Sequence, residues 1–227
     1  LNLGDSFDTS NVVNMARMFS GCPKLTALDV SRFDTSAALY MQGMFAACSE
    51  LTTLNVSGFN TSKVTNMNSM FSGCSKLTEL DVSKFDTSNV TGMAYMFCKC
   101  SALTSLNLSS FDTSKVTNMD DMFAECSALK SLDLGDSFDT GNVTTMQGMF
   151  YCCSALESLD VTGFDTSNVT GMGNMFAGCS GLTSLDVTGF DTSKVTNMCY
   201  IFSGCSSLKT IYASDTFVTT SVNINYY

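Results

Sequence analysis

The sequence predicts an α/β solenoid, one repeat domain over 1–227 in which copies of a short unit stack on each other. A 26-residue unit, FDTSNVVNMARMFSGCPKLTALDVSR at 7–32, recurs eight times with almost no drift. Such a period is typical of solenoids, whose units bury against their neighbours a face that none could bury alone. Each copy opens with phenylalanine: Phe7, Phe33, Phe59, Phe85, Phe111, Phe138, Phe164 and Phe190.

The spacing changes at one place and the ends are incomplete. A 27-residue step leads into Phe138, where Gly135-Asp136-Ser137 replaces a two-residue link. Partial repeats occupy 1–6 and 217–227, and the first begins in the middle of a unit. Because solenoids need polar end caps, we interpret the sequence as part of a longer protein.

The end of each unit predicts a short strand. In LxxLxV the side chains alternate, with Leu28 and Val30 facing inward and Asp29 facing outward. Since successive copies run in the same direction, the strands should form a parallel sheet with a spacing of about 4.8 Å. The predicted strands are Leu28-Asp29-Val30, Leu54-Asn55-Val56, Leu80-Asp81-Val82, Leu106-Asn107-Leu108, Leu132-Asp133-Leu134, Leu159-Asp160-Val161 and Leu185-Asp186-Val187.

The rest of the unit predicts helix and turn. Met-x-x-Met-Phe-x-x-Cys spacing over 15–22 favours one or two helical turns on the side opposite the sheet. A second short extended piece is expected over 12–15. FDTS predicts an Asx turn, in which Asp8 accepts a hydrogen bond from the main chain two residues on. Asn60 replaces this aspartate in the third unit, which indicates that the turn needs an acceptor oxygen and not a charge.

Most of the cysteines form one column, which we interpret as small, buried, unreactive ladder residues. The column contains Cys22, Cys48, Cys74, Cys100, Cys126, Cys153, Cys179 and Cys205. Cys98, Cys152 and Cys199 lie off it, in units that are never adjacent, so whether they form disulfides stays open. No metal site is predicted, because tetrahedral zinc needs four converging ligands and the chain has no histidine.

Composition and charge argue against several functions. The net charge is −10, from 21 acidic and 11 basic residues, so nucleic acid is a poor partner. No apolar run approaches the roughly 20 residues that span a bilayer. Without histidine, catalytic triads and histidine bases are excluded. Asp120-Asp121 is the one adjacent acidic pair, and we interpret it as solvated surface. The sequence therefore predicts neither an enzyme nor a cofactor.

The candidate binding site is the outward column of the strands. It consists of Asp29, Asn55, Asp81, Asn107, Asp133, Asp160 and Asp186. These residues could simply make the surface soluble, or they could form an acidic, hydroxyl-rich recognition surface for a basic or sugar-bearing partner. Calcium bridging between neighbouring carboxylates is a third hypothesis, although no D-x-D-x-D loop is present.

The repeat pattern FDTSxVTxMxxMFxxCxxLxxLDV resembles the BspA-like leucine-rich repeat of bacterial surface proteins. It is intact at Phe164–Val187 and nearly so at Phe85–Leu108, and the resemblance extends along the whole chain. The second unit departs from it at 36–41. The resemblance implies a right-handed superhelix with the sheet on its concave side. It also implies a secreted or cell-surface protein, anchored through regions outside this chain, that adheres to host or microbial proteins or glycans.

Two hypotheses of different classes follow. The first is a non-enzymatic adhesion or ligand-binding solenoid that uses its strand face, and the second is a structural spacer that presents another domain. A surface-binding threonine array, on ice for example, is a weaker third hypothesis because Lys130 and Glu157 interrupt the threonine column at 26, 52, 78, 104 and 183. The sequence does not determine the oligomeric state.

Overall fold

Eight stacked coils make up the computed structural model, which describes residues 7–218. The predicted partial repeat at 1–6 and residues 219–227 of the last one lie outside the described residues. The third coil shows what stacking achieves, since all nine apolar positions of its unit are buried. These side chains are Phe59, Val64, Met67, Met70, Phe71, Cys74, Leu77, Leu80 and Val82. The predicted shared interior is therefore present.

Within residues 7–218, six short strands form three parallel pairs. Their bounds are Ala27–Asp29 (β1), Thr53–Asn55 (β2), Ser105–Asn107 (β3), Ser131–Asp133 (β4), Ser184–Val187 (β5) and Thr210–Ala213 (β6). The strand β1 pairs with β2, β3 with β4 and β5 with β6, and Leu28 lies opposite Leu54, its equivalent in the next coil. The predicted parallel strands are confirmed at these places.

The sheet is not continuous, contrary to the sequence prediction. Leu80-Asp81-Val82 and Leu159-Asp160-Val161 do not form strands, so those two predictions are wrong. The second break has a physical reason, because the extra residue of the 27-residue step follows β4 and places Gly135 in the left-handed region, at φ 68°. Nothing in the structure explains the first break. The strand β6 was not predicted, because its sequence, TIYA, departs from the Leu-Asp-Val pattern.

The predicted helical turns do not form in the described residues, and a series of tight turns takes their place. In the third coil, the amides of Met67, Ser69, Phe71 and Gly73 donate to carbonyl oxygens of the fourth coil at 2.7–3.0 Å. The amides of Met70 and Ser72 donate to the carbonyl oxygens three positions back, and that of Asn68 donates to the Oδ1 atom of Asn66. Ser69 and Gly73 have positive φ, at 57° and 76°. A right-handed helix needs negative φ throughout and i−4 acceptors. Ser69 and Gly73 break the first condition, and the acceptors in this segment, which lie within three residues or in the next coil, break the second.

A second ladder runs beside these turns and links every coil. Single parallel bridges connect Asn14, Tyr40, Asn66, Gly92, Asn118, Thr145, Gly171 and Asn197 in sequence. The second extended piece expected over 12–15 is therefore present as one bridging residue in each coil. Tyr40 keeps its place in this ladder although its unit departs from the repeat pattern. Unlike the sheet, this ladder is unbroken along the described coils.

Buried threonines link the FDTS turns of adjacent coils by hydrogen bonds. Thr113 is fully buried, and its hydroxyl donates to the main-chain oxygen of Asp139 in the next coil at 2.7 Å. In the third coil the Thr61 hydroxyl donates to the Asp86 oxygen and accepts from the Asp86 amide. The column contains Thr9, Thr35, Thr61, Thr87, Thr113, Thr140, Thr166 and Thr192. Its side chains satisfy main-chain groups that coil stacking would otherwise bury without partners.

Candidate functional site on the strand face

The strand face is the surface formed by residues 26–29 of the first coil and their equivalents in the other coils. The structure places the predicted site residues on it in one column, with Asp29 opposite Asn55 and Asn107 opposite Asp133. Asp186 is half-buried and the other six are exposed. The column includes the third and sixth coils, in which the strands are missing. The expected arrangement of these side chains is present even where the sheet is interrupted.

Each predicted site residue also caps the turn that follows it. The Oδ1 atom of Asp81 accepts a hydrogen bond from the Ser83 amide at 3.0 Å, and that of Asn107 accepts from the Ser109 amide at 2.9 Å. The same bond recurs at Asp29, Asn55, Asp133, Asp160 and Asp186. This structural role was missed, although the D-x-S/T spacing that signals it is present in the sequence. One side-chain oxygen of each residue is committed to the fold.

These hydrogen bonds keep the carboxylates ionised. Donation from the Ser83 side chain and main chain lowers the pKa of Asp81 below its usual 3.8. Donors two residues on also lower the pKa values of Asp29, Asp160 and Asp186. Lowering follows because the charged carboxylate accepts these bonds more strongly than the neutral acid does. The strand face therefore carries fixed negative charge at neutral pH.

Three cavities open on the strand face or at its edge. The largest, of about 740 Å³, crosses the first four coils and has Leu28, Leu54 and Leu80 among its lining residues. A cavity of about 490 Å³ lies beside Gly135, at the 27-residue step. A third, of about 400 Å³, crosses the sixth to eighth coils next to the exposed ring of Tyr212. We call the cavity of about 740 Å³ the first groove and the cavity of about 400 Å³ the second groove.

Charge is distributed unevenly along this face. No lysine or arginine is among the described residues that line the three cavities. Glu79 adds a charge to the first groove at a position where the other coils have Ala, Ser or Thr. Exposed Lys130 lies on the fifth coil, between the two grooves. The repeat symmetry is therefore broken on the strand face, with three acidic lining residues in the first groove, three in the cavity beside Gly135 and two in the second groove.

The interpretation of Asp120-Asp121 as solvated surface is corrected by the structure. Both side chains are half-buried. The Oδ1 atom of Asp120 accepts from the Thr145 hydroxyl at 2.6 Å and from the Gln147 amide at 2.8 Å, in the next coil. Burial raises the pKa of Asp121, with the nearby acids adding to the effect, although a hydrogen bond from Tyr95 opposes it. This pair joins adjacent coils and lies away from the strand face.

A second threonine column runs along the outside from the third coil to the eighth, and Val13 and Leu39 occupy its position in the first two coils. It contains Thr65, Thr91, Thr117, Thr144, Thr170 and Thr196. Each hydroxyl donates to a main-chain oxygen of the preceding coil, as Thr91 does to Thr65 at 3.2 Å. Because the hydroxyl hydrogen is used within the fold, the column offers only acceptor oxygens to the outside. These contacts favour a structural role over a surface-binding array.

The cysteines are free thiols, including the three that lie off the column. Cys98 is buried, whereas Cys152 and Cys199 are half-buried. Among residues 7–218, no three cysteine or acidic side chains come together as metal ligands. The described part of the chain also has no helix of the length and apolarity that a membrane span requires.

Three solved structures are similar to this chain. A leucine-rich repeat protein from Bacteroides ovatus shares 20% identity over 90% of this chain and 65% of its own, with a TM-score of 0.30. A leucine rich cell surface protein from Faecalibacterium prausnitzii shares 16% identity over 84% and 79%, with a TM-score of 0.40. A TLR13–ssRNA13 complex shares 16% identity over 89% and 34%, with a TM-score of 0.41. None of these similarities bears on the function proposed below.

No curated protein matches the sequence. A family model described as "Mycoplasma protein of unknown function, DUF285" matches residues 2–53, 40–136 and 130–225. These segments extend over almost the whole chain and over all eight coils. Because the match extends over more than half of the sequence, the chain belongs to the DUF285 family.

Proposed function

We propose that this chain is a non-enzymatic binding solenoid of the extracellular space or cell surface, which recognises a protein or glycan through its strand face. The observation that carries the proposal is the coincidence of two features on that face. The cavities open there, and the column from Asp29 to Asp186 lines them with exposed carboxylates and amides. Solenoids commonly use such extended faces for binding.

The finer fold assignment is part of the same proposal. The resemblance to BspA-like leucine-rich repeats supports a right-handed superhelix with the strand face on its concave side. The groove across the first four coils is in keeping with a concave surface at that end. Surface display rests on the same resemblance, with anchoring through regions outside this chain.

A structural spacer is the alternative, and one observation favours it. The bridge ladder from Asn14 to Asn197 links all eight coils without a gap, which suits a stiff rod. A spacer needs no particular charge on its strand face. Removing charge from that face separates the two functions.

The test uses two triple variants with the same change in charge. Asp81→Asn, Asp133→Asn and Asp160→Asn neutralise the strand face but keep the turn-capping oxygens, as Asn55 and Asn107 already do. Asp86→Asn, Asp112→Asn and Asp165→Asn make the matched change in the FDTS turns, at residues that line none of the three cavities. Binding is measured on an array of surface glycans and extracellular matrix proteins.

If the chain is a binding protein, the strand-face variant should no longer bind at least one array ligand that the wild type and the FDTS variant both bind. Equal loss through both variants would point to overall charge and would contradict the assignment to the strand face. A protein that binds nothing on the array, with both variants as stable as the wild type, would support the spacer.

A further inference from the structure

The first groove combines an apolar floor with an acidic wall. Leu28, Leu54 and Leu80 line it together with Asp29 and Asp81. Its volume of about 740 Å³ is in the range of pockets that enclose a small ligand or a short peptide segment. A partner that fills it must therefore present both aliphatic surface and polar or charged groups.

Charge complementarity points to a cationic partner. Asp29, Glu79 and Asp81 give the groove three acidic side chains, and the described lining residues include no basic one. Arg32 and Lys84 lie just beyond, on the turns that follow, where each acts electrostatically on the preceding aspartate. The long aliphatic part of a lysine or arginine could cover the leucine floor while its charged end meets a carboxylate.

Part of the groove wall has unpaired main-chain groups. The third coil has no strand, and no main-chain hydrogen bond joins Glu79 or Leu80 to the adjoining described coils. Neighbouring coils satisfy these groups where β1 pairs with β2. Groups without such partners need water or a ligand, and an extended peptide carries free main-chain donors and acceptors of its own.

The spacing of the carboxylates selects a peptide geometry. Asp29 and Asp81 are two coils apart, a separation of about 10 Å at the usual strand spacing. A polyproline II segment rises about 3.1 Å per residue with three residues per turn, so residues i and i+3 lie on one side about 9 Å apart. In a β-strand, residues i and i+3 face opposite sides. A polyproline II segment therefore fits the two acids better than a β-strand does.

We infer that the first groove binds an extended cationic peptide segment, with basic residues three positions apart that meet Asp29 and Asp81 while Glu79 contacts one of them. This inference rests on the proposed binding function and names its partner class. It makes Glu79 a specificity-determining residue, because it is the one acidic residue at its position among the coils. The second groove lacks that residue and should bind the same peptide more weakly.

The test uses fluorescein-labelled synthetic peptides and fluorescence anisotropy. The probe has two lysines three residues apart in a proline-rich sequence, and a control peptide of the same composition has them adjacent. We expect the wild-type protein to prefer the spaced peptide and to bind it more weakly as salt is added. Glu79→Gln should weaken that binding about fivefold to tenfold, whereas Asp112→Asn, at an FDTS-turn residue that lines none of the three cavities, should leave it unchanged.

Each other outcome overturns the inference. It is wrong if the wild type does not bind the spaced peptide, if both peptides bind equally, or if Glu79→Gln and Asp112→Asn weaken binding to the same extent. If the wild type does not bind the spaced peptide but does bind an array ligand that the strand-face triple variant no longer binds, the partner class is wrong and the proposed function stands. Glu79 is exposed and Thr53 and Ser105 occupy its position in adjacent coils, so the substitution should not impair folding.

Discussion

The thiol of Cys100 donates a hydrogen bond to the main-chain oxygen of Phe71, 3.2 Å away in the preceding coil. Cys74 makes the same bond to Phe45, and Cys126 makes it to Phe97. The remaining thiols that do so are Cys48, Cys153, Cys179 and Cys205. The column is thus more than a row of small apolar side chains, because seven of its eight thiols also supply a donor to a main-chain carbonyl of the preceding coil.

We predict that most of the eleven thiols are unreactive in the native protein. Burial raises the pKa of Cys74 and of Cys126 to about 12, so that about one such thiol in ten thousand is ionised at pH 8. Ellman's reagent should therefore modify at most four thiols quickly, namely Cys22, Cys152, Cys199 and Cys205.

The seven buried cysteines should react only in denaturant. Rapid modification of all eleven thiols in the folded protein would contradict a buried cysteine column and, with it, the stacking of the coils.

The buried threonines should contribute measurably to stability. Thr113→Val keeps the volume but leaves the main-chain oxygen of Asp139 without its donor, which should cost about 1–3 kcal/mol of unfolding free energy. Thr113→Ser keeps the hydroxyl and should cost about 1 kcal/mol, chiefly for the lost methyl group. Urea denaturation followed by circular dichroism measures both.

Thr117→Val is the matched control, since Thr117 is exposed in the same coil and makes only a 3.4 Å bond. A Thr113→Val protein within about 0.5 kcal/mol of wild type would show that the buried hydroxyl is not needed.

The sequence predicted the coil well where side-chain pattern decides the structure. The nine apolar positions, the parallel strands and the FDTS turns follow from periodicity and from the Asx motif, and the Asp8 and Asn60 side chains both accept the expected bond. The turns after Met15 were missed because Met-x-x-Met-Phe spacing fits a helix equally well. A helix does not form because main-chain amides of this segment donate to carbonyl oxygens of the next coil. The sequence of a single unit does not reveal these contacts between coils.

The site was predictable in position but not in shape. The alternation around Asp29 and Asp81 placed these residues on one face, because side chains alternate along any extended segment. The shape of the grooves depends on how the coils pack and on where the sheet is interrupted. Nothing in the repeat pattern predicts the missing strand at Leu80. Glu79 was visible in the sequence as a departure from Ala, Ser or Thr. Its position in the first groove depends on the packing of the coils, which the repeat pattern does not specify.

Relief of backbone strain should stabilise the turn segment. Ala47 adopts φ 59°, and its equivalents Gly21 and Gly73 adopt φ 71° and 76°. The left-handed region is unfavourable for residues with a Cβ atom. Ala47→Gly should therefore raise the unfolding free energy by about 0.5–1 kcal/mol after the entropy cost of glycine is counted. Ala102→Gly, at a position without positive φ, should lower the unfolding free energy by a similar amount. Thermal unfolding of both variants would test this, and equal destabilisation would contradict the assigned conformation.

Acid should destabilise the protein through its FDTS turns. Hydrogen bonds from Ser88 lower the pKa of Asp86 below its usual 3.8, and similar bonds lower those of Asp34, Asp112 and Asp165. A carboxylate with a lowered folded-state pKa stabilises the protein above its unfolded pKa, and that contribution is lost as the pH falls through the folded value.

Replacing these four aspartates by Asn should therefore flatten the fall in melting temperature between about pH 5 and pH 2, because Asn keeps the acceptor and does not titrate. Near neutral pH the fold should persist, since Asn60 already fills this position. Thermal melts across that range measure the effect. A fall as steep as that of the wild type would place the acid-sensitive groups elsewhere in the protein.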